Sequence, residues 1–200
     1  MARLAVDRHS GSAPDRLLLL EHASVYTHGR RWRPEHLLVS EEDLTRHGIE
    51  RVESDRGGDI TWHGPGQLVG YPIVALEGDR RDLHRYLRDL ERVLIGVCDR
   101  LGVRAFRRAG LTGAWTDRGK IAAIGVRVSR WVTMHGFALN WRCNLAAFDA
   151  IVPCGLAGEP VTSLAAQGVC IEREALVAHV VEEWAQVFGP VAIVTTDLAP

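Results

Sequence analysis

Apolar residues cluster from Leu17 to Leu20 and continue to Tyr26, which predicts a buried strand running into a loop, Thr27 to Arg33, that carries Gly29 and three arginines. Pro34 restarts the chain, a short helix is expected over Glu41 to His47 with Gly48 closing it, and Ile49 to Glu53 reads as an alternating strand. Gln67 to Leu76 is a further strand, and the stretch between, Arg56 to Gly66, is too rich in glycine to read as anything but a loop. The clearest element is a helix over Asp82 to Leu101. Its Leu83, Leu87, Leu90, Leu94, Val97 and Leu101 recur at helical spacing, Asp79 is the expected N-cap and Gly102 the stop. Strands follow at Gly113 to Thr116, Ile121 to Ser129 and Trp131 to Asn140, the last two forming a hairpin that turns near Ser129 and Arg130. After an irregular run from Cys143 to Gly168, a second helix, Glu172 to Phe188, turns Leu176, Val180, Trp184 and Val187 inward and ends at Gly189-Pro190. Runs of strands broken by few helices predict an α+β fold, a mixed sheet with a few packed helices, rather than a doubly wound sheet.

Two hundred residues, 46% of them hydrophobic, suffice for one domain spanning 1–200, with 191–200 expected as a tail. The leucine run is too short for a signal peptide or a membrane span, so a cytoplasmic protein without membrane attachment is expected. Cys98, Cys143, Cys154 and Cys170 form no C-x-x-C pair and no scaffold spacing, and they read as free thiols with no metal site. A net charge of -1 argues against nucleic acid as a partner. The basic residues are lopsided: of twenty-four, all but Lys120 are arginine. Codon bias accounts for the arginines but not for the exception. A position that stays lysine is a candidate for proton transfer, which guanidinium cannot perform.

Two segments carry candidate chemistry. Arg56-Gly57-Gly58-Asp59-Ile60-Thr61-Trp62-His63-Gly64-Pro65-Gly66-Gln67 can bring backbone close to a ligand. It lacks the G-K-[ST] of a nucleotide-binding P-loop, and no helix follows it as a dinucleotide fold requires. Val152-Pro153-Cys154-Gly155-Leu156 sets a cysteine in a turn where it can be both accessible and flanked by backbone amides, the two needs of a thiol nucleophile. A small buried residue in a loop is the ordinary alternative for any cysteine, and Cys98 and Cys170 fit it.

The stretch R-G-G-D-I-T-W-H-G-P-G-Q-L-V-G-Y-P at Arg56 to Pro72 resembles the signature of the lipoyl(octanoyl) transferases. G-K-I-A-A-I-G-V from Gly119, H-G-F-A-L-N from His135, P-C-G-L-A-G-E-P-V-T-S-L from Pro153 and L-L-L-L-E-H-A-S-V-Y-T-H-G-R from Leu17 resemble further blocks of that family, in order. The resemblance implies the α+β fold of biotin and lipoate protein ligases, an acyl-thioester at Cys154, and Lys120 as its acid/base partner. It places substrate contacts at Arg56, Gly57, Gly58, Asp59, Ile60, Thr61, Trp62 and His63, at Ala123, Ile124 and Gly125, and at Gly136, Phe137 and Ala138. Cys143, next to Trp141-Arg142, departs from the family pattern and is read as incidental, and only sixteen residues precede Leu17, so 1–15 is expected to be abbreviated or disordered.

The implied reaction moves octanoyl from octanoyl-acyl carrier protein to a lysine of a lipoyl domain, on 2-oxoacid dehydrogenase E2 subunits or the glycine cleavage H protein, in a monomer without cofactor. Exchange of one thioester for another is nearly isoenergetic, so cysteine keeps the acyl group activated. Lys120 could start as a neutral base, which needs a downward shift of roughly three pH units from about 10.4, or as an ammonium paired with a thiolate. Backbone amides near Gly155 or in the Gly57-Gly58 loop are candidate oxyanion donors, and Ile60, Ala123, Ile124 and Phe137 candidate walls for the acyl chain. Arg81, Arg85, Arg88 and Arg92 share one arc of the long helix and could receive an acidic carrier protein, or form a solvated face. Rival readings are an ATP-dependent lipoate or biotin ligase, a thiol hydrolase or amidase using His63 or His135, and a non-catalytic binder.

Overall fold

The structure, a computed structural model, describes residues 1–156 and 158–195. Its main sheet has seven strands: β1 (Arg16–Leu20), β5 (Gln67–Ile73), β6 (Phe106–Arg108), β7 (Leu111–Thr116), β8 (Gly119–Ser129), β9 (Val132–Asn140) and β10 (Ala192–Thr195). They lie in the order β10-β1-β5-β9-β8-β7-β6, with β10 parallel to β1 and the other pairs antiparallel. A second sheet holds β2 (Val25–His28), β3 (Glu50–Glu53) and β4 (Ile60–His63) in the order β3-β2-β4. The helices are α1 (Ala2–His9), α2 (Glu41–Arg46), α3 (Leu83–Arg100) and α4 (Arg173–Phe188). This is the expected mixed-sheet α+β architecture.

Side chains alternate across a strand, and the leucine run of β1 uses both faces. Leu17 and Leu19 join the core beneath α3 and α4, while Leu18 packs with Ala5 of α1 on the other side. The α3 stripe that reaches the main core is Tyr86, Leu90, Val93, Leu94, Val97 and Cys98; Leu83, at its start, is 43% exposed. From α4, Leu176, Val180 and Trp184 are buried in the same core, with Val187 against it. The second sheet has its own core, in which Tyr26, Leu44, Ile60, Trp62, Cys143, Phe148 and Ile151 are buried.

Several sequence expectations are corrected. Leu17 to Tyr26 is not one strand: β1 ends at Leu20 and β2 begins at Val25, in different sheets, because residues 21–24 carry the chain across. The glycine-rich segment contains strand β4, held against β2 from Val25↔His63 to His28↔Ile60. Asp82, not Asp79, caps α3, accepting the His84 and Arg85 amides at 2.8 and 3.1 Å, while Asp79 pairs with Arg85 at 2.7 Å. The hairpin turns on Arg130 and Trp131, both at positive φ (50° and 62°), the conformation a two-residue turn of a twisted ribbon demands. Residues 2–9 are helical rather than disordered, with Arg8 paired to Asp15, and part of the expected tail forms β10; residues 196–200 lie outside the described residues.

Candidate active site

Where the two sheets meet, a cavity of about 1100 Å³ opens, lined from both. β4 shows how the sheets divide their side chains. Thr61 and His63 face the cavity, whereas Ile60 and Trp62 point into the second core, Trp62 edge-on to Phe148 at 5.6 Å between centroids. Period-two alternation turns the side chains of the expected substrate contacts Ile60 and Trp62 away from the cavity, so the Ile60 side chain forms no wall for the acyl chain. Every other expected position lines the cavity: Arg56, Gly57, Gly58, Asp59, Thr61 and His63 on one side, Ala123, Ile124 and Gly125 of β8 and Gly136, Phe137 and Ala138 of β9 on the other, with Lys120 and Cys154.

Glycines let these segments approach. An added Cβ at Gly29 would lie 2.5 Å from the Gly58 carbonyl oxygen, so β2 can exit directly under the Arg56-Gly57-Gly58 loop. That loop is pinned to β8 by the Gly57 amide, which donates to Val126 O at 2.9 Å. Arg56 is 8% exposed. Its Nη2 donates to Thr27 O at 2.6 Å and Thr27 Oγ1 at 3.1 Å, its Nη1 to Gly57 O at 3.0 Å, and its Nε has no partner among the described residues. Burial lowers the Arg56 pKa, and Cys154, Tyr71 and Asp59 oppose that through charge. A buried guanidinium thus faces the cavity in electrostatic reach of Cys154.

Cys154 sits in a turn from Pro153 to Gly155 at φ 57° and ψ 18°, a left-handed conformation unusual for a residue with a side chain. Gly155 follows at φ 70°. Such strain is tolerated where the surroundings hold it. Here they do: the Gly155 amide donates to Val152 O at 3.0 Å and that of Leu156 to Pro153 O at 3.1 Å. The same bonds change the expected oxyanion donors, since the Gly155 and Gly57 amides are both already committed to carbonyls. Cys98 and Cys143 are buried, and burial pushes both thiols up to about 12, which leaves them unreactive; Cys143 is packed in the second core, as an incidental cysteine should be.

Lys120, at the start of β8, is 7% exposed, with Nζ 4.8 Å from the Trp115 ring centroid. Its backbone is clamped to the chain beyond Cys154: the Lys120 amide donates to Pro160 O at 2.9 Å and the Thr162 amide to Lys120 O at 3.0 Å. These two bonds fix the Lys120 backbone against the segment from Pro160 to Thr162.

His63 is buried, and that burial drives its pKa down to about 3, so the ring is neutral. Gln67 Nε2 donates to Asn140 Oδ1 at 2.9 Å, and Asn140 Nδ2 to Thr162 O at 2.9 Å. That ordering leaves Gln67 Oε1 to accept from His63 Nδ1 at 2.7 Å. His63 is thereby fixed as one tautomer, and its burial-lowered pKa makes it a poor base. His135, at φ 57° within β9, has its Nε2 2.6 Å from Asp55 Oδ1, and Arg127 also pairs with Asp55. Sequence reasoning missed His36, Tyr71 and Asp55, which line the cavity too. Only Tyr71 fell within a matched block; His36 follows Pro34 in a stretch whose pattern shows nothing but a chain restart.

The α3 arginines are neutralised locally. Arg85 pairs with Asp79, Arg88 with Glu91 at 2.7 Å, and Arg92 with Asp89 at 3.6 Å, which favours the solvated face over docking. Arg31 and Arg33 at the cavity mouth are exposed and have no carboxylate partner among the described residues. Among those residues no helix is long and apolar enough to cross a membrane.

Comparison with known proteins places the chain in a family. The family described as lipoyl protein ligase A/B catalytic domain matches residues 1–188. An octanoyltransferase of Geobacter sulfurreducens is 52% identical over 199 residues, 99% of this chain and 79% of that one. An octanoyltransferase of Geobacter metallireducens is 55% identical over 164 residues, 82% and 74% of the two chains. A bipartite lipoate protein ligase of Thermoplasma acidophilum shares the fold at a TM-score of 0.76 and 16% identity, over 97% of this chain and 81% of that one. That likeness is one of fold; the family match and the much closer sequence relatives lead to one placement: the chain belongs to the octanoyltransferases of the lipoyl protein ligase A/B catalytic domain family.

Proposed function

We propose that this octanoyltransferase takes octanoyl from octanoyl-acyl carrier protein onto Cys154 and passes it to a lysine of a lipoyl domain, such as those of 2-oxoacid dehydrogenase E2 subunits or the glycine cleavage H protein. The observation that carries the reading is the shared cavity of Cys154 and Lys120, with the strained, amide-braced turn on one side and the clamped, buried lysine on the other. Lys120 takes the thiol proton as the thioester forms and handles the amine proton as the amide forms. The apolar walls are Val69, Ala123, Ile124, Phe137, Ala138 and Leu156. Each methylene removed from the acyl chain costs about 0.8 kcal/mol, so selection by length is graded. The enzyme works in the cytoplasm as a monomer.

Transfer from octanoyl-acyl carrier protein to a purified lipoyl domain, followed by mass spectrometry, should proceed without ATP. Transfer of free octanoate that requires ATP and releases pyrophosphate would establish a ligase instead.

The donor's acidic carrier docks at the cavity mouth over Arg31 and Arg33. Reversing both to glutamate should raise KM for octanoyl-acyl carrier protein roughly tenfold at low salt, with a smaller effect at high salt, while reversing Arg85 and Arg88 of α3 should leave it near the native value. The opposite ranking in steady-state kinetics would return docking to the helix.

A further inference from the structure

Behind the Cys154 turn lies an imidazole-carboxylate pair that the acyl-cysteine chemistry above does not use. Asp59 is 7% exposed; its Oδ1 accepts the Ile60 amide at 2.7 Å and its Oδ2 lies 2.5 Å from His36 Nδ1. His36 ends the short turn Pro34–His36, and its carbonyl accepts the Val152 amide at 2.8 Å, tying it to the chain that leads into Cys154. The pair abuts the nucleophile turn: a Cβ built on Gly155 would stand 2.8 Å from Asp59 Oδ2 and 3.3 Å from His36 Cε1. His36, Asp59, Lys120 and Cys154 line the same cavity.

With Nδ1–H donated to Asp59, the unprotonated form of the ring presents Nε2 as a lone pair, and no described residue bonds to it. The acceptor half-reaction has a use for such a site. A lysine side chain, with an ordinary pKa of about 10.4, arrives as an ammonium and must lose two protons to become an amide nitrogen. The departing sulfur takes back one. Lys120, which serves the sulfur, cannot also hold the other.

On the reading that Cys154 carries the acyl group, we infer that His36, oriented by Asp59, accepts the first proton of the incoming lysine ammonium. The neutral amine then attacks the thioester carbonyl carbon. As the C–N bond forms and the C–S bond breaks, the electron pair passes to Cys154 Sγ. The second nitrogen proton reaches that sulfur through Lys120 and restores the thiol. The His36 imidazolium, balanced by the Asp59 carboxylate, returns its proton to water, so one ammonium and one thioester give one amide, one thiol and one released proton.

The two half-reactions separate this role from a structural one. His36→Gln loaded with octanoyl-acyl carrier protein should form the Cys154 adduct at a rate within about threefold of wild type, read by intact mass, yet pass it to the lipoyl-domain lysine about 10²-fold more slowly. Hydroxylamine, already neutral near neutral pH, should clear both adducts at rates within about threefold of each other. Asp59→Asn should likewise slow transfer to lysine far more than release by hydroxylamine, and it serves as the test should His36→Gln fail to fold. Undiminished transfer to lysine, an equal loss toward both nucleophiles, or a folded variant that cannot be loaded would each overturn the assignment. An absent adduct in the wild-type protein would instead mark the failure of the Cys154 reading itself.

Discussion

Lys120→Arg is expected to fold normally, keep its positive charge and lose about 10²- to 10⁴-fold of octanoyl transfer, the usual worth of general acid/base help. The substitution is chosen because almost everything but proton exchange survives it. Arginine can lie over the Trp115 ring, which Lys120 Nζ approaches to 4.8 Å, and the backbone bonds to Pro160 and Thr162 do not depend on the side chain. The guanidinium, however, does not deprotonate in proteins and so can neither accept the Cys154 proton nor relay one from the acceptor amine. Single-turnover kinetics of adduct formation and of transfer should both slow. Near-native rates would remove Lys120 from the chemistry and reduce its solitary status to an accident of composition.

Cys154→Ala should have a still larger effect, a loss of about 10⁴-fold or more, because no other group can hold the acyl chain as a thioester in the cavity. Its stability should be nearly unchanged, within about 1 kcal/mol in a denaturant titration. Alanine retains a Cβ, so the cost of the left-handed backbone at φ 57° is the same before and after, and a half-buried thiol gives up little packing. Cys98 and Cys143 cannot substitute, being enclosed in the two cores with their thiols held protonated.

How far the sequence foretold this site follows from which features have a local cause. Helices α3 and α4 were legible because an amphipathic stripe and terminal glycines are written in adjacent residues. Lys120 stood out by composition alone, whereas Cys154 needed the family blocks around it. The glycine-rich segment misled because strand β4 is formed by pairing with β2, a tertiary contact that overrides the local bias toward a loop. The inward turn of the Ile60 and Trp62 side chains was hidden for the same reason: a contiguous motif does not reveal which side of a strand faces the cavity until the strand is known to be one. His36 was invisible because its partner Asp59 is remote in sequence, and nothing near Pro34 signals that a turn there will close on the Cys154 turn.

The central claim is that the acyl group passes through Cys154. Intact-mass spectrometry of the protein mixed with octanoyl-acyl carrier protein, in the absence of acceptor, tests it most directly. One covalent octanoyl group per chain is expected, localised by peptide mapping to Cys154, released on adding a lipoyl domain, and absent from Cys154→Ala. Octanoyl transfer to the lipoyl domain by Cys154→Ala at the native rate, or an adduct that persists in that variant, would contradict it.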